Sequence, residues 1–192
     1  MKIEKLKCHF IHIPKTAGTS IFRFLNRYCS DEEKLMYNKN PHAVQNISEH
    51  LFKFCFVRNP WDRFISSYFY FKEYGQGFGY DTHTGEIINR FEDFDDFVLN
   101  FTSVQNEFRC PHFKNQTHWI RGNNIDFIGR VENLENDFNY VCNVIGIGES
   151  NLPRRNTSSH NQYHDYFNRR TKEMVRELYE DDIETFNYKF DI

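Results

Sequence analysis

The sequence predicts an α/β protein in which a central parallel sheet is flanked by helices. Two short apolar runs, Cys8–Ile13 and Phe52–Val57, are each followed by a polar loop and then by an amphipathic helical pattern. Strands that alternate with helices in this way are typical of parallel sheets covered on both faces. Because no internal repeat or low-complexity linker interrupts the 192 residues, we expect a single domain over 1–192.

The first strand is predicted over Cys8–Ile13, an apolar run that stops at Pro14. Apolar residues then recur with helical spacing over 21–28, which predicts an amphipathic helix. Thr19 or Ser20 is its expected N-cap, since hydroxyl side chains satisfy the first helical N–H groups. The segment is a strand–loop–helix unit, the usual start of an α/β fold.

A second unit of this kind follows. Phe52–Val57 predicts a buried strand that ends at Asn59-Pro60, and the aromatic and aliphatic residues of Trp61–Phe71 lie at helical spacing. A third short strand is predicted at Ile125–Ile128. Together the three strands supply the sheet.

The remaining segments divide into helices and loops. Helical spacing of apolar residues predicts helices over Phe91–Phe101, over Leu134–Ile145 and over one long stretch, Asn168–Phe186. Asp31–Ser48 is polar and predicts irregular structure, and the glycines of Gly75–Gly85 predict a mobile loop.

Composition excludes several classes of protein. Hydrophobic residues make up 39% of the chain and aromatic residues 18%, enough for a large core and against disorder. The formal net charge of −3 argues against a nucleic-acid binder, which is usually basic. The five cysteines have no CxxC spacing, and Cys8 and Cys55 lie in apolar runs as buried hydrophobes do, so neither a zinc site nor a disulfide framework is expected. No apolar run is long enough to cross a membrane.

The loop after the first strand is a candidate anion site. It joins a buried strand to a helix N-terminus, where main-chain N–H groups and the helix dipole favour an anion. Small residues allow close approach of the backbone, hydroxyls donate hydrogen bonds and a lysine supplies positive charge; the residues concerned are Lys15, Thr16, Ala17, Gly18, Thr19 and Ser20. The order of residues differs from the GxxxxGK[ST] of a Walker A loop. The alternative is a structural turn with a capping hydroxyl.

The loop after the second strand has similar chemistry. Arg58 follows the strand's carboxyl end, where ligands bind in open α/β sheets, and Ser66 lies two turns into the next helix. A guanidinium group and a hydroxyl suit a phosphate dianion. We interpret Arg63 as structural or solvent-exposed.

Together these loops resemble a known family. HIPKTAGTS at 12–20 and FVRNPWDRFISSY at 56–68 are similar to the motifs of carbohydrate sulfotransferases that use 3′-phosphoadenosine 5′-phosphosulfate (PAPS), both the bacterial family-2 enzymes and the chondroitin and heparan sulfotransferases. The resemblance continues through FIGRVENL at 127–134, Leu152-Pro153 and NYKF at 187–190. It implies a P-loop-like nucleotide-binding core and transfer of a sulfuryl group from PAPS to a carbohydrate hydroxyl.

The resemblance also implies roles for particular residues. The first loop, residues 15–20, would bind the 5′-phosphosulfate, with Lys15 beside the bridging oxygen as a catalytic residue. Arg58 and Ser66 would hold the 3′-phosphate. The stretch 152–159 would close over the nucleotide and contribute Arg155 and Ser158.

A general base is needed to remove the acceptor's proton, and histidine is the simplest choice near neutral pH. The family carries a histidine-containing segment at the place of Pro41-His42-Ala43, so the resemblance implies that His42 is the catalytic base. His12, close to the first loop, and Glu107 are the alternatives. No metal is expected, because no acidic pair or His/Cys cluster has ligand spacing.

The acidic overall balance predicts a sparsely charged acceptor: an oligosaccharide, a polysaccharide or a glycolipid headgroup. Since the first strand starts almost at the first residue, we expect a cytoplasmic protein of bacterial or viral origin, unless a membrane anchor has been removed. Two other functions stay open. One is a P-loop-type kinase or NTPase, and the other is a relative that binds the nucleotide without catalysing transfer.

Overall fold

A computed structural model describes residues 1–43, 50–74, 80–148, 152 and 162–190. By their internal contacts the residues form two compact units, Met1–Arg58 with Gln116–Asn156 and Asn59–Asn115 with Thr157–Ile192. The α/β class is confirmed, since a mostly parallel four-stranded sheet is flanked by helices. The expectation of a single domain over 1–192 stays a prediction.

The first unit contains the sheet. Its strands, in spatial order, are β1 (Lys2–Ile3), β2 (Cys8–Ile11), β3 (Phe52–Val57) and β4 (Phe127–Arg130). β2, β3 and β4 pair in parallel, whereas β1 pairs antiparallel with β2. β1 was absent from the sequence-based prediction because two residues are too few to show an apolar alternation.

In the described part of this unit, four helices follow the strands or connect them. They are α1 (Gly18–Leu25), α2 (Asp31–Lys39), the short α6 (Thr117–Ile120) and α7 (Leu134–Val144). α1 and α7 cover one face of the sheet with an almost solvent-free core, formed by Phe10, Ile21, Leu25, Phe54, Phe56, Phe138, Val141 and Cys142 among others. Gly146, with φ of 75°, follows the end of α7, where a left-handed glycine is common.

The second unit is helical in its described part. It contains α3 (Pro60–Tyr74), α4 (Tyr80–Ile88), α5 (Phe94–Val104), α8 (Arg169–Leu178) and α9 (Glu180–Phe186). Phe64 of α3 lies at the centre of its core, and five aromatic rings surround it with centroids 5.3–6.0 Å away: Phe94, Phe97, Phe101, Phe113 and Tyr179. The many phenylalanines of the sequence therefore build this helical core.

Asn59 joins the start of α3 to the end of the chain. Its side-chain oxygen accepts the N–H of Trp61 at 3.1 Å, and its amide donates to the carbonyl of Lys189 at 2.8 Å. The NPW and NYKF segments, both noted in the sequence, are thus bound to each other within this unit.

Three local predictions were wrong. Asp31–Ser48 was expected to be irregular, yet Asp31–Lys39 is helical because Ser30 and Glu33 form a capping box before it. Gly75–Gly85 was expected to be a loop, but its second half belongs to α4, while residues 75–79 lie outside the described part of the chain. The last helix is two helices, since Tyr179 (φ −118°, ψ 26°) interrupts the helical backbone.

All five cysteines are buried, as expected for Cys8 and Cys55, and none forms a disulfide. Among the helices of the described residues, none combines the length and the apolar character that a membrane span requires.

The buried His9 of β2 gives the first prediction. Burial, and secondarily the neighbouring positive charges, lowers the pKa of His9 from 6.5 to about 3. As the pH falls below about 6.5 the unfolded chain therefore binds a proton that the folded chain does not. The titration of His9 therefore lowers the protein's free energy of unfolding by up to about 1.4 kcal/mol for each pH unit of acidification between about pH 6.5 and about pH 3.

His9→Gln removes this titration, and denaturant unfolding at about pH 7 and about pH 4.5 measures it. We expect the variant to lose less stability on acidification than the unchanged protein. An equal loss in both proteins would contradict a neutral, buried His9.

Candidate active site

Parallel pairing brings two loops to one edge of the sheet. The register matches Phe10 with Phe54 and Ile11 with Cys55, so β2 and β3 end close together. We call residues 12–17, which follow β2, the cradle loop. Arg58 follows β3 directly, so that both candidate anion-binding segments start from the same edge, as expected for an open α/β sheet.

The backbone of the cradle loop is left-handed at two residues that are not glycine, Lys15 (φ 67°) and Ala17 (φ 64°). This conformation costs about 1–2 kcal/mol for each such residue, and such costs concentrate at ligand-binding loops. Left-handed residues in a tight turn direct successive N–H groups towards one concave side, which favours an anion.

Ala17 is the N-cap of α1. Its carbonyl accepts the N–H of Ser20 at 3.0 Å and that of Ile21 at 3.2 Å. The expected N-caps, Thr19 and Ser20, are instead inside the first turn, because the left-handed Ala17 starts the helix earlier than a hydroxyl cap would. The first turn, at Gly18 and Thr19, is where a helix has N–H groups without intrahelical acceptors.

The side chains of the cradle loop have different environments. Thr16 is fully buried, and its hydroxyl donates to the carbonyl of Ile13 at 2.9 Å, which closes the turn. Lys15 is half-buried and Thr19 is exposed. The hydroxyl of Thr16 therefore stabilises the loop, and the part of Thr16 in ligand binding stays a prediction.

The ring of His12 leaves no space for a side chain at position 18, which is glycine. A Cβ atom at Gly18 would lie 1.9 Å from both Cδ2 and Nε2 of His12. His12 is itself buried, and its Nδ1 lies 2.6 Å from the hydroxyl of Tyr37 on α2. Because burial lowers the pKa of His12 well below its usual value, with the neighbouring His42 contributing, the ring is neutral.

Arg58 connects β3 to the cradle loop. Its Nη1 lies 3.4 Å from the carbonyl oxygen of Lys15. The main chain of Arg58 makes two hydrogen bonds with the buried Gln116, whose Oε1 accepts from the Arg58 N–H and whose Nε2 donates to the Arg58 carbonyl, both at 2.9 Å. The two segments that the sequence singled out are therefore brought together through Arg58 and Lys15.

His42 lies beside the same loop. Its Nδ1 is 3.0 Å from the carbonyl oxygen of His12, and the two imidazole rings are 4.5 Å apart. Since a carbonyl can only accept, Nδ1 carries a proton, and in the neutral ring Nε2 has the lone pair. The carbonyl of His42 in turn accepts the indole N–H of Trp119 at 3.0 Å.

The other predicted site residues are placed as follows. Ser66 is buried in α3 of the second unit, and Arg155 and Ser158 lie outside the described residues. The alternative base Glu107 is exposed and forms an ion pair with Arg90 at 2.8 Å. Their parts in ligand binding or catalysis stay predictions.

Arg63, interpreted as structural or exposed, is structural. It is 1% exposed, and its guanidinium donates to the main-chain carbonyls of His112 and Lys114.

The comparison with known proteins decides the family. The sequence profile of the sulfotransferase family matches residues 3–189, nearly the whole chain. This protein is a member of the sulfotransferase family.

One relative of this sulfotransferase is an uncharacterized protein of Archaeoglobus fulgidus, 33% identical over 110 residues that make up 57% of this chain and 80% of the relative. No solved structure matches the chain significantly.

Three residues around the candidate active site were not predicted from the sequence. Tyr37 lies in a segment that the sequence-based prediction left irregular. Gln116 and Trp119 lie between the predicted helix Phe91–Phe101 and the predicted strand Ile125–Ile128, in a segment without a predicted element. The one signal in the sequence was the large Trp119 in a polar context, which is typical of a buried anchor residue.

The contact between Gly18 and His12 gives the second prediction. Gly18→Ala forces the Cβ atom against a buried ring held by Tyr37, and we expect it to lower the free energy of unfolding by about 1–3 kcal/mol. Chemical denaturation of Gly18→Ala, His12→Ala and the double variant measures the coupling. If Gly18→Ala lowers the free energy of unfolding as much in the His12→Ala background as it does alone, the clash with His12 is not the cause of the destabilisation.

Proposed function

We propose that this sulfotransferase transfers a sulfuryl group from PAPS to a hydroxyl of a carbohydrate, with His42 as the general base. The observation that carries the proposal is the position of Arg58, whose guanidinium lies against the main chain of Lys15 in the cradle loop. A concave turn rich in N–H groups and an adjacent arginine fit a donor that carries negative charge at two places.

The donor's 5′-phosphosulfate suits the cradle loop. The left-handed backbone at Lys15 and Ala17 and the start of α1 favour an anion, and Gly18 allows a close approach. Lys15 adds a full positive charge. We assign the main chain of residues 15–20 and the side chain of Lys15 to this end of the donor.

The donor's 3′-phosphate suits Arg58, whose planar guanidinium binds phosphate oxygens in pairs. The hydrogen bonds between Gln116 and the main chain of Arg58 fix the backbone from which this side chain extends. Ser66, Arg155 and Ser158 are proposed as further contacts, following the family motif.

The tautomer of His42 supports its proposed role. Bound PAPS would supply an activated sulfuryl group, and an acceptor hydroxyl must lose its proton as its oxygen attacks sulfur. Nε2 of His42 has the lone pair that accepts this proton, because Nδ1 donates to the carbonyl of His12. The positive charge of Lys15 balances the negative charge that develops on the leaving phosphate oxygen.

His12 is the less suitable base. It is buried and neutral, and its Nδ1 is engaged with Tyr37. Its ring packs against Gly18, which indicates a structural role in fixing the start of α1.

We propose a carbohydrate acceptor of low charge, such as an oligosaccharide, a polysaccharide or a glycolipid headgroup. The chain carries a net charge of −3, whereas an enzyme that acts on a polyanionic glycan needs a strongly basic groove. A transfer assay with labelled PAPS on an array of neutral and sulfated glycans tests this, and a signal confined to the sulfated glycans would contradict it.

The donor is tested by calorimetry with adenosine 3′,5′-bisphosphate and with ADP, the product-like ligands of a sulfotransferase and of a kinase. We expect binding of the bisphosphate to be much the tighter, since Arg58 addresses the 3′-phosphate. Arg58→Ala should weaken it by about 1.5–3 kcal/mol, roughly 10- to 100-fold, and leave ADP binding nearly unchanged.

Equal affinities for the two nucleotides would contradict the donor assignment and favour a P-loop-type kinase or NTPase. Tight binding of the bisphosphate without transfer to any glycan of the array would favour a non-catalytic relative.

The general base is tested with His42→Ala. We expect loss of sulfuryl transfer by at least about 100-fold, because the proton of the acceptor hydroxyl loses its acceptor, with bisphosphate affinity nearly intact. His50→Ala, at an exposed loop histidine, is the control and should keep full transfer. Full turnover by His42→Ala would show that another residue is the base.

A further inference from the structure

We infer that Gln116 and Trp119 are positioning residues that fix Arg58 and His42 from one turn of helix. This inference rests on the proposed function, in which Arg58 binds the nucleotide and His42 is the general base, because it explains how the distance between these two residues is fixed. Gln116 and Trp119 are together called the α6 clamp.

Gln116 holds the main chain of Arg58 from both sides. Its amide oxygen accepts the N–H and its amide nitrogen donates to the carbonyl of the same residue, each at 2.9 Å. Gln116 is fully buried, so that water does not compete for these bonds. The amide of Gln116 thus pairs with the main chain of Arg58 just beyond β3, as a neighbouring strand would. Without these two hydrogen bonds the main chain of Arg58 could move, and its side chain with it.

Trp119 holds the main chain of His42 in a comparable way. The indole ring is 1% exposed, and its N–H donates to the carbonyl of His42 at 3.0 Å. With the backbone fixed there, the imidazole is placed so that Nδ1 meets the carbonyl of His12. Trp119 therefore acts on the tautomer of His42 through the main chain of that residue.

The two positioning residues are three positions apart on one rigid turn. Gln116 is the N-cap of α6, and its carbonyl accepts the N–H of Trp119 at 3.1 Å. The distance between the Arg58 and His42 backbones is therefore set by a short helix and not by the loops that carry them. A misplacement of about 1 Å at such groups can cost a hundredfold in rate.

Two variants separate the two halves of the α6 clamp. Trp119→Phe keeps an aromatic ring but removes the indole N–H, and Gln116→Met keeps the length of the side chain but removes both hydrogen bonds of the amide. The chain supplies a matched control in Trp61→Phe, since Trp61 also donates its indole N–H to a main-chain carbonyl, that of Lys172 at 2.9 Å. Should Gln116→Met not fold, Gln116→Glu, which replaces the amide donor to the Arg58 carbonyl with a carboxyl oxygen, serves in its place.

The readouts are the histidine tautomer, followed by nitrogen-15 NMR of the imidazoles, and bisphosphate affinity, measured by calorimetry. For Trp119→Phe we expect His42 to shift from the Nδ1–H towards the Nε2–H tautomer and transfer to fall about tenfold or more, with bisphosphate affinity within about twofold. For Gln116→Met we expect affinity to fall about tenfold while the tautomer of His42 is unchanged. Trp61→Phe should alter neither.

An unchanged His42 tautomer in Trp119→Phe, or unchanged bisphosphate affinity in the Gln116 variant, overturns the inference. A shift of the tautomer in Trp61→Phe overturns it as well, because the effect would then be one of general destabilisation. If the unchanged protein does not bind the bisphosphate, the proposed function is contradicted instead. The α6 clamp is then tested by the tautomer of His42 in Trp119→Phe, a measurement that needs no ligand.

Discussion

The parallel pairing of β2 with β3 is the constraint on which the site depends. Because both strands end at one edge of the sheet, the cradle loop and Arg58 start side by side, although they are more than forty residues apart in the chain. The buried aromatic face formed by Phe10, Phe54 and Phe56 under α1 and α7 fixes that pairing. A register shift would turn these rings towards the other face, so core packing and site geometry are set by the same residues.

The site is organised largely through main-chain groups. The carbonyl of Lys15 meets Arg58, the carbonyl of His12 selects the tautomer of His42, and the buried donors of Gln116 and Trp119 bind two further carbonyls. Main-chain groups held by packing are less mobile than side chains, and a site that must balance charge gains from such preorganisation. The left-handed residues of the cradle loop are the energetic cost of this arrangement.

The sequence predicts those parts of the protein whose signals are local. The strand Phe52–Val57, the helices that carry regular apolar spacing and the two candidate anion-binding loops are all visible as patterns within a dozen residues. The Ala17 N-cap was not predictable, because alanine rarely adopts the left-handed conformation that packing imposes here. Nor were the contacts of Tyr37, Gln116 and Trp119, which depend on how distant segments fold together. The helix Asp31–Lys39 could have been found, since Ser30 and Glu33 have the spacing of a capping box.

The most direct test of the central claim is an amide NMR titration of the isotope-labelled protein with adenosine 3′,5′-bisphosphate. We expect saturable shifts of the main-chain N–H groups of residues 15–20, with the Nε signal of Arg58 following the same binding curve. Shifts confined to other segments, or an Arg58 signal that stays unchanged while the cradle loop responds, would contradict a donor site built from these two loops.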